Sequence, residues 1–332
     1  MIEKNQPFVS IALCTYNGSE FLDEQLVSIL NQDYCNYEVV IVDDASTDDT
    51  RTIISSYLQD SRIRFYKNQE NLGYAANFSK AMSLCKGELI ALSDQDDIWL
   101  PEKIKLMVER MEGVSGLYHN SAFMTKSGQL TGLKLTDKVR FVSGKYPESL
   151  LLYNYVGGHT LMLKRDVLNH ALPVPQGIYH DWWLAFVCMN LHGLDYIEKP
   201  LVHYRIHDSN QTVLEEQSRK MYKTDTRPVK RYKKLRKLAV SLQILRTLNQ
   251  APFINDQLRL TIDRLINLQK GRIGKFFSFE LFYFLIKHLS IYKSGHRGYL
   301  GKLNAMRKDS FGIYKCQASK AFLNNFTFDD NS

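Results

Sequence analysis

Three short runs, Phe8–Cys14, Glu38–Val42 and Leu89–Leu92, are almost wholly apolar, and each ends in a cluster of polar residues. Strands that are apolar on both faces must be covered on both faces. Between the runs, apolar residues recur at helical spacing: Phe21, Leu22, Leu26, Ile29 and Leu30 in one stretch, then a segment capped by Ser46, Thr47 and Asp48 that runs to Tyr57, then Tyr74–Cys85. With a strand-like Ile63–Tyr66 this makes a succession of βα units, which predicts an α/β fold built on a doubly wound, mainly parallel sheet flanked by helices. Ligands of such sheets bind beyond the carboxyl ends of the strands. The polar clusters Thr15-Tyr16-Asn17-Gly18, Asp43-Asp44 and Asp94–Asp97 all fall there.

From Gly116 to Tyr204 the signals are mixed, with strand-like Gly116–Phe123 and His159–Leu163 and helical Glu148–Tyr153 and His180–His192. The first 214 residues therefore read as one domain of two halves, about 1–98 and 99–214. Charge divides the chain at the same place. From Glu215 onward there are 24 Lys and Arg against 9 Asp and Glu, which leaves 19 basic and 26 acidic residues before it. Residues 215–332 are expected to form a helical basic region that associates with a membrane or another subunit. Phe276–Tyr292 is too short and too interrupted by charge to span a bilayer. Five scattered cysteines and an amino terminus without a leader pattern point to a reducing cytoplasm.

Three carboxylates, Asp94, Asp96 and Asp97, crowd the end of the third apolar run. Carboxylates so placed repel one another unless a cation lies between them, and Asp-x-Asp can grip a divalent ion that carries phosphate. The plainer alternative is an acidic turn ahead of the helix that follows Pro101. Asp43 and Asp44 leave their strand in different directions, so one could accept the N3–H of a pyrimidine; the plainer alternative is that these residues form the turn and cap the next helix. Asn71-Leu72-Gly73, with Asn77 in the following helix, offers a glycine and free N–H groups to an anion. In His180-Asp181-Trp182-Trp183 a carboxylate beside apolar rings is suited to general-base work, and indoles stack on sugars. In Tyr204-Arg205-Ile206-His207 the imidazole could join a metal and the guanidinium a phosphate.

The order of these motifs resembles that of a family-2 glycosyltransferase: Thr-Tyr-Asn-Gly, Val-Asp-Asp-Ala-Ser-Thr-Asp, Asn-x-Gly, Ser-Asp-Gln-Asp-Asp-Ile-Trp with Pro-Glu-Lys, Gly-Gly-His-Thr, His-Asp-Trp-Trp and Tyr-Arg-x-His, over roughly residues 8–210. The group that builds O-antigen, capsule and other bacterial surface polysaccharides, including rhamnosyltransferase-like enzymes, is especially similar. The resemblance implies a GT-A fold and an inverting hexosyl- or deoxyhexosyltransferase that uses Mn2+ or Mg2+. It further implies Thr15, Tyr16, Asn17, Asp43, Asp44, Asn71, Gly73, Asn77 and Asp94 at the nucleotide, Asp94, Asp96 and His207 at the metal, and Asp181 as the base. Asp97, Trp99, His159, His180, Trp182, Trp183 and Arg205 become candidates for the donor sugar or the acceptor. His180 departs from the acidic residue that many relatives carry before the base.

The implied partners are a UDP- or dTDP-sugar and a glycan acceptor, either carried on a polyprenyl diphosphate at the inner face of the cytoplasmic membrane or linked to protein. A homo-oligomer is a further expectation. A nucleic-acid binder using the basic region is the rival from another class, but it leaves the ordered carboxylates without a purpose, and no nucleic-acid partner is expected. A nucleotidyltransferase would carry a lysine in its first phosphate loop, and Thr15–Glu20 has none.

Overall fold

The computed structural model describes residues 6–207, 227–292 and 299–311. A nine-stranded sheet carries the fold. Its first half comprises β1 (Val9–Thr15), β2 (Tyr37–Asp43), β3 (Ile63–Lys67) and β4 (Leu89–Ser93), paired in parallel in the order β3-β2-β1-β4. Their crossovers are α1 (Leu22–Leu30), α2 (Thr50–Tyr57) and α3 (Tyr74–Leu84). β1 is apolar along most of its length because α1 covers one face with Leu22, Leu26 and Ile29, while α3 covers the other with Phe78, Ala81 and Met82. The α2 cap is more local than expected. Asp48 Oδ1 accepts from Thr50 N at 3.1 Å and its Oδ2 accepts from Ser19 N at 3.0 Å, so this carboxylate joins the loops after β1 and β2.

The second half departs from uniform parallel pairing. After the short β5 (Ile98–Trp99) and α4 (Lys103–Arg110) come β6 (Gly116–Thr125), β7 (Leu130–Lys134), β8 (Met162–Lys164), α5 (Leu168–Ala171), α6 (His180–Asn190) and the long β9 (Leu194–Ile206). β8 runs antiparallel to both β4 and β6, and β9 lies parallel to β6 with two register shifts that re-aim its carboxyl end. The expected strand over His159–Leu163 is a 3-10 turn, Gly158–Thr160, followed by β8. Thr160 Oγ1 donates to the Gly157 carbonyl at 2.6 Å and holds the turn. The expected helix over Glu148–Tyr153 is one 3-10 turn, Pro147–Leu150.

The basic region is helical: α7 (Arg227–Asn249), α8 (Asp256–Gly271), α9 (Phe279–Lys287) and α10 (Tyr299–Ser310). It shares a core with the sheet-bearing first 207 residues. Leu235, Leu238, Leu242 and Leu245, spaced three and four apart on α7, belong to the same buried cluster as Trp183, Phe186 and Val187 of α6. Phe253, in the α7–α8 turn, lies 5.6 Å from the Trp183 ring. Among the described residues no helix is long and apolar enough to cross a membrane. The Lys230–Lys233 part of the basic run and residues 208–226 lie outside the described side chains.

Because Leu245 is fully buried in this shared core, Leu245→Ala is expected to cost about 2–5 kcal/mol. Chemical denaturation monitored at the tryptophans of α6 should show the loss in the same transition that unfolds the sheet. A tryptophan transition that does not shift would separate the C-terminal helices from the catalytic core.

Candidate active site at the carboxyl ends of the parallel strands

The loops after β1 and β2 interlock. Asn17 and Ala45 both have positive φ, 47° and 61°, a conformation that L-residues adopt sparingly and that clusters at functional sites. Asn17 Oδ1 accepts from Thr47 N at 2.9 Å, and Asn17 N donates to Ser46 Oγ at 2.9 Å. Asp43 is fully buried and accepts from Thr15 Oγ1 at 3.0 Å, from Ser46 N at 3.1 Å and from the Ser46 hydroxyl, so it builds this loop. Tyr16 remains about half exposed at the mouth.

Asp44 occupies the place expected of an anion at the start of α3. Its Oδ1 accepts from Asn68 Nδ2 (2.7 Å) and Leu72 N (2.8 Å), and its Oδ2 accepts from Gly73 N (3.0 Å). A carboxylate has about four acceptor positions, so about one is left for a base N–H. The N–H of Gly73, which also donates to Asn71 Oδ1, is therefore taken by the protein's own carboxylate, and a ligand anion is not what it holds. Asn77 is likewise corrected to a positioning residue. It is buried, accepts from Asn68 Nδ2 at 2.9 Å and donates to the Val42 carbonyl at 3.0 Å.

The carboxylate run after β4 is held by contacts that sequence spacing did not reveal. Gln95 pairs with the Tyr16 peptide, accepting its N–H at 2.8 Å and donating to its carbonyl at 3.0 Å, which clamps the β4 loop to the β1 loop. Gly18 makes room for that clamp, since a Cβ there would sit 2.2 Å from Gln95 Oε1. Arg205 is 2% exposed, and its guanidinium donates to the Asp96 and Lys126 carbonyls and to Glu24. It is thus a structural brace, with three of its five N–H groups held by protein oxygens. Its backbone N–H donates to Asp97 Oδ1 at 3.1 Å.

The three aspartates then diverge. Asp96 Oδ2 lies 2.9 Å from His207 Nε2, which brings together two of the three expected metal ligands. Asp97 turns inward and is fully buried, and burial followed by Asp96 and Asp94 pushes its carboxyl well above the ordinary range. Asp94 is partly open, and burial together with the Asp96 and Asp181 carboxylates lifts it to about 7. Ligand atoms of Asp94, Asp97 and His159 lie within 4.8 Å of one another, forming a potential Asp–Asp–His metal site. His159 is buried, bonded through Nε2 to Ser121 Oγ at 2.8 Å and stacked on Tyr204, and burial followed by the Lys103 charge lowers it to about 3. A neutral imidazole is the form that binds metal.

Lys103 entered the sequence reading only within Pro-Glu-Lys. Its Nζ is buried 3.3 Å from the centre of the Trp99 ring and donates to the His159 carbonyl at 2.8 Å. Burial drives its ammonium well below the usual range, while Asp97 and Asp94 act in the opposite direction. The buried Trp99 is thereby a floor for Lys103 and is withdrawn as a sugar contact.

Asp181, in the first turn of α6, faces this cluster across the Gly157–Thr160 turn. Its carboxylate accepts from Trp182 N at 2.6 Å and is also bonded by Asn154 and the Gly158 N–H. Burial outweighs these bonds and raises it to about 6. Trp182 and Trp183 are core residues, correcting the expectation of a stacking platform. Their indole N–H groups donate to the Leu150 and Ala171 carbonyls at 2.6 and 2.8 Å. His180 is also buried, stacked on Phe78 at 4.0 Å, and burial lowers it to about 3.

A sheet with this order, its carboxylates gathered at the strand tips and a base-like carboxylate opposite them, has the GT-A architecture of nucleotide-sugar-dependent glycosyltransferases. The same fold is found in Staphylococcus aureus TarS (residues 1–349, in complex with UDP-GlcNAc), at a TM-score of 0.55 and 16% identity over 79% of this chain and 72% of that one. It is found also in the mannosyltransferase PcManGT from Pyrobaculum calidifontis, in complex with GDP-Man and Mn2+, at a TM-score of 0.51 and 16% identity over 97% and 79%. Residues 10–142 match the model of Glycosyl transferase family 2. Over 207 residues, 60% of this chain and 77% of the relative, the sequence is 36% identical to the Escherichia coli UDP-Glc:alpha-D-GlcNAc-diphosphoundecaprenol beta-1,3-glucosyltransferase WfaP. The chain belongs to glycosyltransferase family 2.

The Gln95 clamp yields a double-mutant test. Gln95→Ala and Gly18→Ala should each cost about 1–3 kcal/mol, since each removes the same two hydrogen bonds. Combined, they should cost clearly less than their sum in urea denaturation; additive losses would show that Gly18 and Gln95 act separately.

Proposed function

We propose that this chain transfers a hexose or deoxyhexose from a UDP- or dTDP-sugar to a hydroxyl of a lipid-linked glycan with inversion of configuration, with Asp181 as the general base. The observation that carries the reading is the placement of Asp181. Its carboxylate is half-buried at a helix start, raised to about 6, and within electrostatic reach of Asp94. Such a group is ionised at neutral pH yet basic enough to accept a hydroxyl proton in the transition state. The Trp182 and Gly158 N–H groups and the Asn154 side chain orient it. In-line attack with one base resembles the base half of an inverting glycosidase. WfaP, named for its use of UDP-Glc and a diphosphoundecaprenol-linked sugar, supports the donor and acceptor class. Polysaccharide assembly at the inner face of the cytoplasmic membrane is the setting that follows.

The donor set fits a divalent cation. Carboxylates and a neutral imidazole suit Mn2+ or Mg2+, and Asp94, raised first by burial and then by the Asp96 and Asp181 carboxylates, is the group that a bound cation would return to its ionised form. Asp96 and His207, with Asp94, would hold the ion, and Asp97 and His159 lie beside them. Its chemistry there is Lewis-acid stabilisation of the departing diphosphate. Asp44 keeps about one acceptor position for a pyrimidine N3–H, and the exposed Tyr16 ring lies at the same mouth.

A panel of UDP-glucose, UDP-galactose, their N-acetyl forms and dTDP-rhamnose, read by release of UDP or dTDP with and without Mn2+, tests the reading; no release from any donor would overturn it. Asp181→Asn should lower turnover by about 10²–10⁴-fold while nucleotide binding persists. In the wild type, turnover requires the ionised carboxylate, so the rate should fall as pH drops through about 6 and be about tenfold below its plateau one pH unit lower. Asp96→Ala should abolish the response to EDTA followed by added Mn2+, and a full response in that variant would remove Asp96 from the metal.

A further inference from the structure

α9 is apolar on nearly every side. Leu281 and Leu285 are fully buried against the helical region, yet Phe279 and Tyr283, one turn apart on the opposite face, are 77% and 60% exposed. A helix that is apolar all round is normally enclosed. Here the outer face continues into a cluster that includes Phe276, itself 71% exposed. Phe277 lies 4.8 Å from Phe279 and 5.4 Å from Phe311, and Phe276 lies 5.6 Å from Phe311. Exposed aromatic rings gathered in this way mark an interaction surface.

The charges around the rings indicate what that surface meets. Lys287 Nζ sits 4.6 Å over the Tyr283 ring, the Arg307 guanidinium sits 5.5 Å over Phe311, and Lys275 precedes Phe276. Glu280, 3.8 Å from Lys275, is the one acidic residue of α9. Aromatic rings that enter the acyl boundary, surrounded by lysines and an arginine that stay with the headgroups, are how a protein binds the face of an anionic bilayer without crossing it. We propose that the α9 face, with Phe276, Phe279 and Tyr283 as wedges and Lys275, Lys287 and Arg307 as the cationic rim, docks this chain on an anionic lipid surface. This narrows the membrane contact from the basic region 215–332 as a whole, where the sequence alone puts it, to a folded aromatic patch. It deepens the proposed function, since a lipid-linked acceptor is presented at such a surface, but it does not depend on the transfer chemistry.

The test is flotation of the full chain with vesicles of phosphatidylcholine alone or with 30% phosphatidylglycerol (about a third anionic lipid, enough to give a negative surface). The wild type should float with the anionic vesicles only. Phe279→Ser/Tyr283→Ser should cut bound protein by about tenfold or more, and Lys275→Gln and Lys287→Gln by about fivefold each. Both sets alter exposed side chains, so circular dichroism and UDP release in detergent-free buffer with a lipid-free acceptor should match the wild type. A chain truncated after Phe311 should still float; if only the truncated chain floats, the last residues cover the face in the intact protein and the proposal fails. Serine variants that float like the wild type overturn it. So does a wild type that ignores vesicles but sediments as a dimer which the serine variants dissociate, since the face would then join two copies. Flotation without UDP release from any donor would leave the docking surface standing and remove the transferase reading.

Discussion

Arg205 holds the catalytic face together. Its side chain reaches the Asp96 carbonyl in the β4–β5 loop, the Lys126 carbonyl at the end of β6 and Glu24 on α1, while its backbone fixes Asp97. These four contacts join segments that lie up to 181 positions apart in sequence. A guanidinium removed from water is tolerable only when its donors are matched, and charge-assisted bonds of this kind are the strong ones. With Arg205 in place, the Asp94–Asp97 run has a fixed direction, and Asp96 can meet His207 while Asp97 turns inward. Lys103 acts beside it as a buried counter-charge for Asp94 and Asp97, supported by the Trp99 ring below.

What the sequence disclosed follows from burial. β1, β2 and β4 are legible because strands covered on both faces must be apolar throughout, and the polar clusters at their tips mark where covering stops. The expected strand His159–Leu163 begins instead in a turn, because a glycine-rich turn and an apolar strand start look alike until the Thr160 hydroxyl closes on the Gly157 carbonyl. The four residues His180–Trp183 suggested a carbohydrate platform, yet both indoles turned out to be core with their N–H groups satisfied by carbonyls. Nothing in composition separates an indole that stacks on a sugar from one that fills a core. Arg205, Gln95 and Lys103 act through partners distant in sequence, and spacing along the chain carries no record of them.

The active site also shows how a protein spends its own polar groups before a ligand arrives. The N–H groups at the start of α3 are bonded by Asp44, and Asp43 is consumed by the loop it shapes. Among the partly open carboxylates, Asp94 and Asp181 are pushed furthest above the ordinary range, in both cases chiefly by burial. Carboxylates held above their ordinary range by burial are a more specific pointer to chemistry than the number of carboxylates.

The shared core of α6 and α7 bears on how such chains can diversify. The abrupt change of charge near residue 215 looks like a seam at which one C-terminal region is exchanged for another. The packing places no seam there, because the leucines of α7 fill the space behind Trp183 and Phe186. A recombined chain that took residues 215–332 from a relative would inherit mismatched volumes beneath α6, and interiors packed like crystals do not absorb such mismatches. Inheritance of new acceptor preferences is therefore expected to proceed by replacement of loops around the site, with α6 and α7 passed on as a pair.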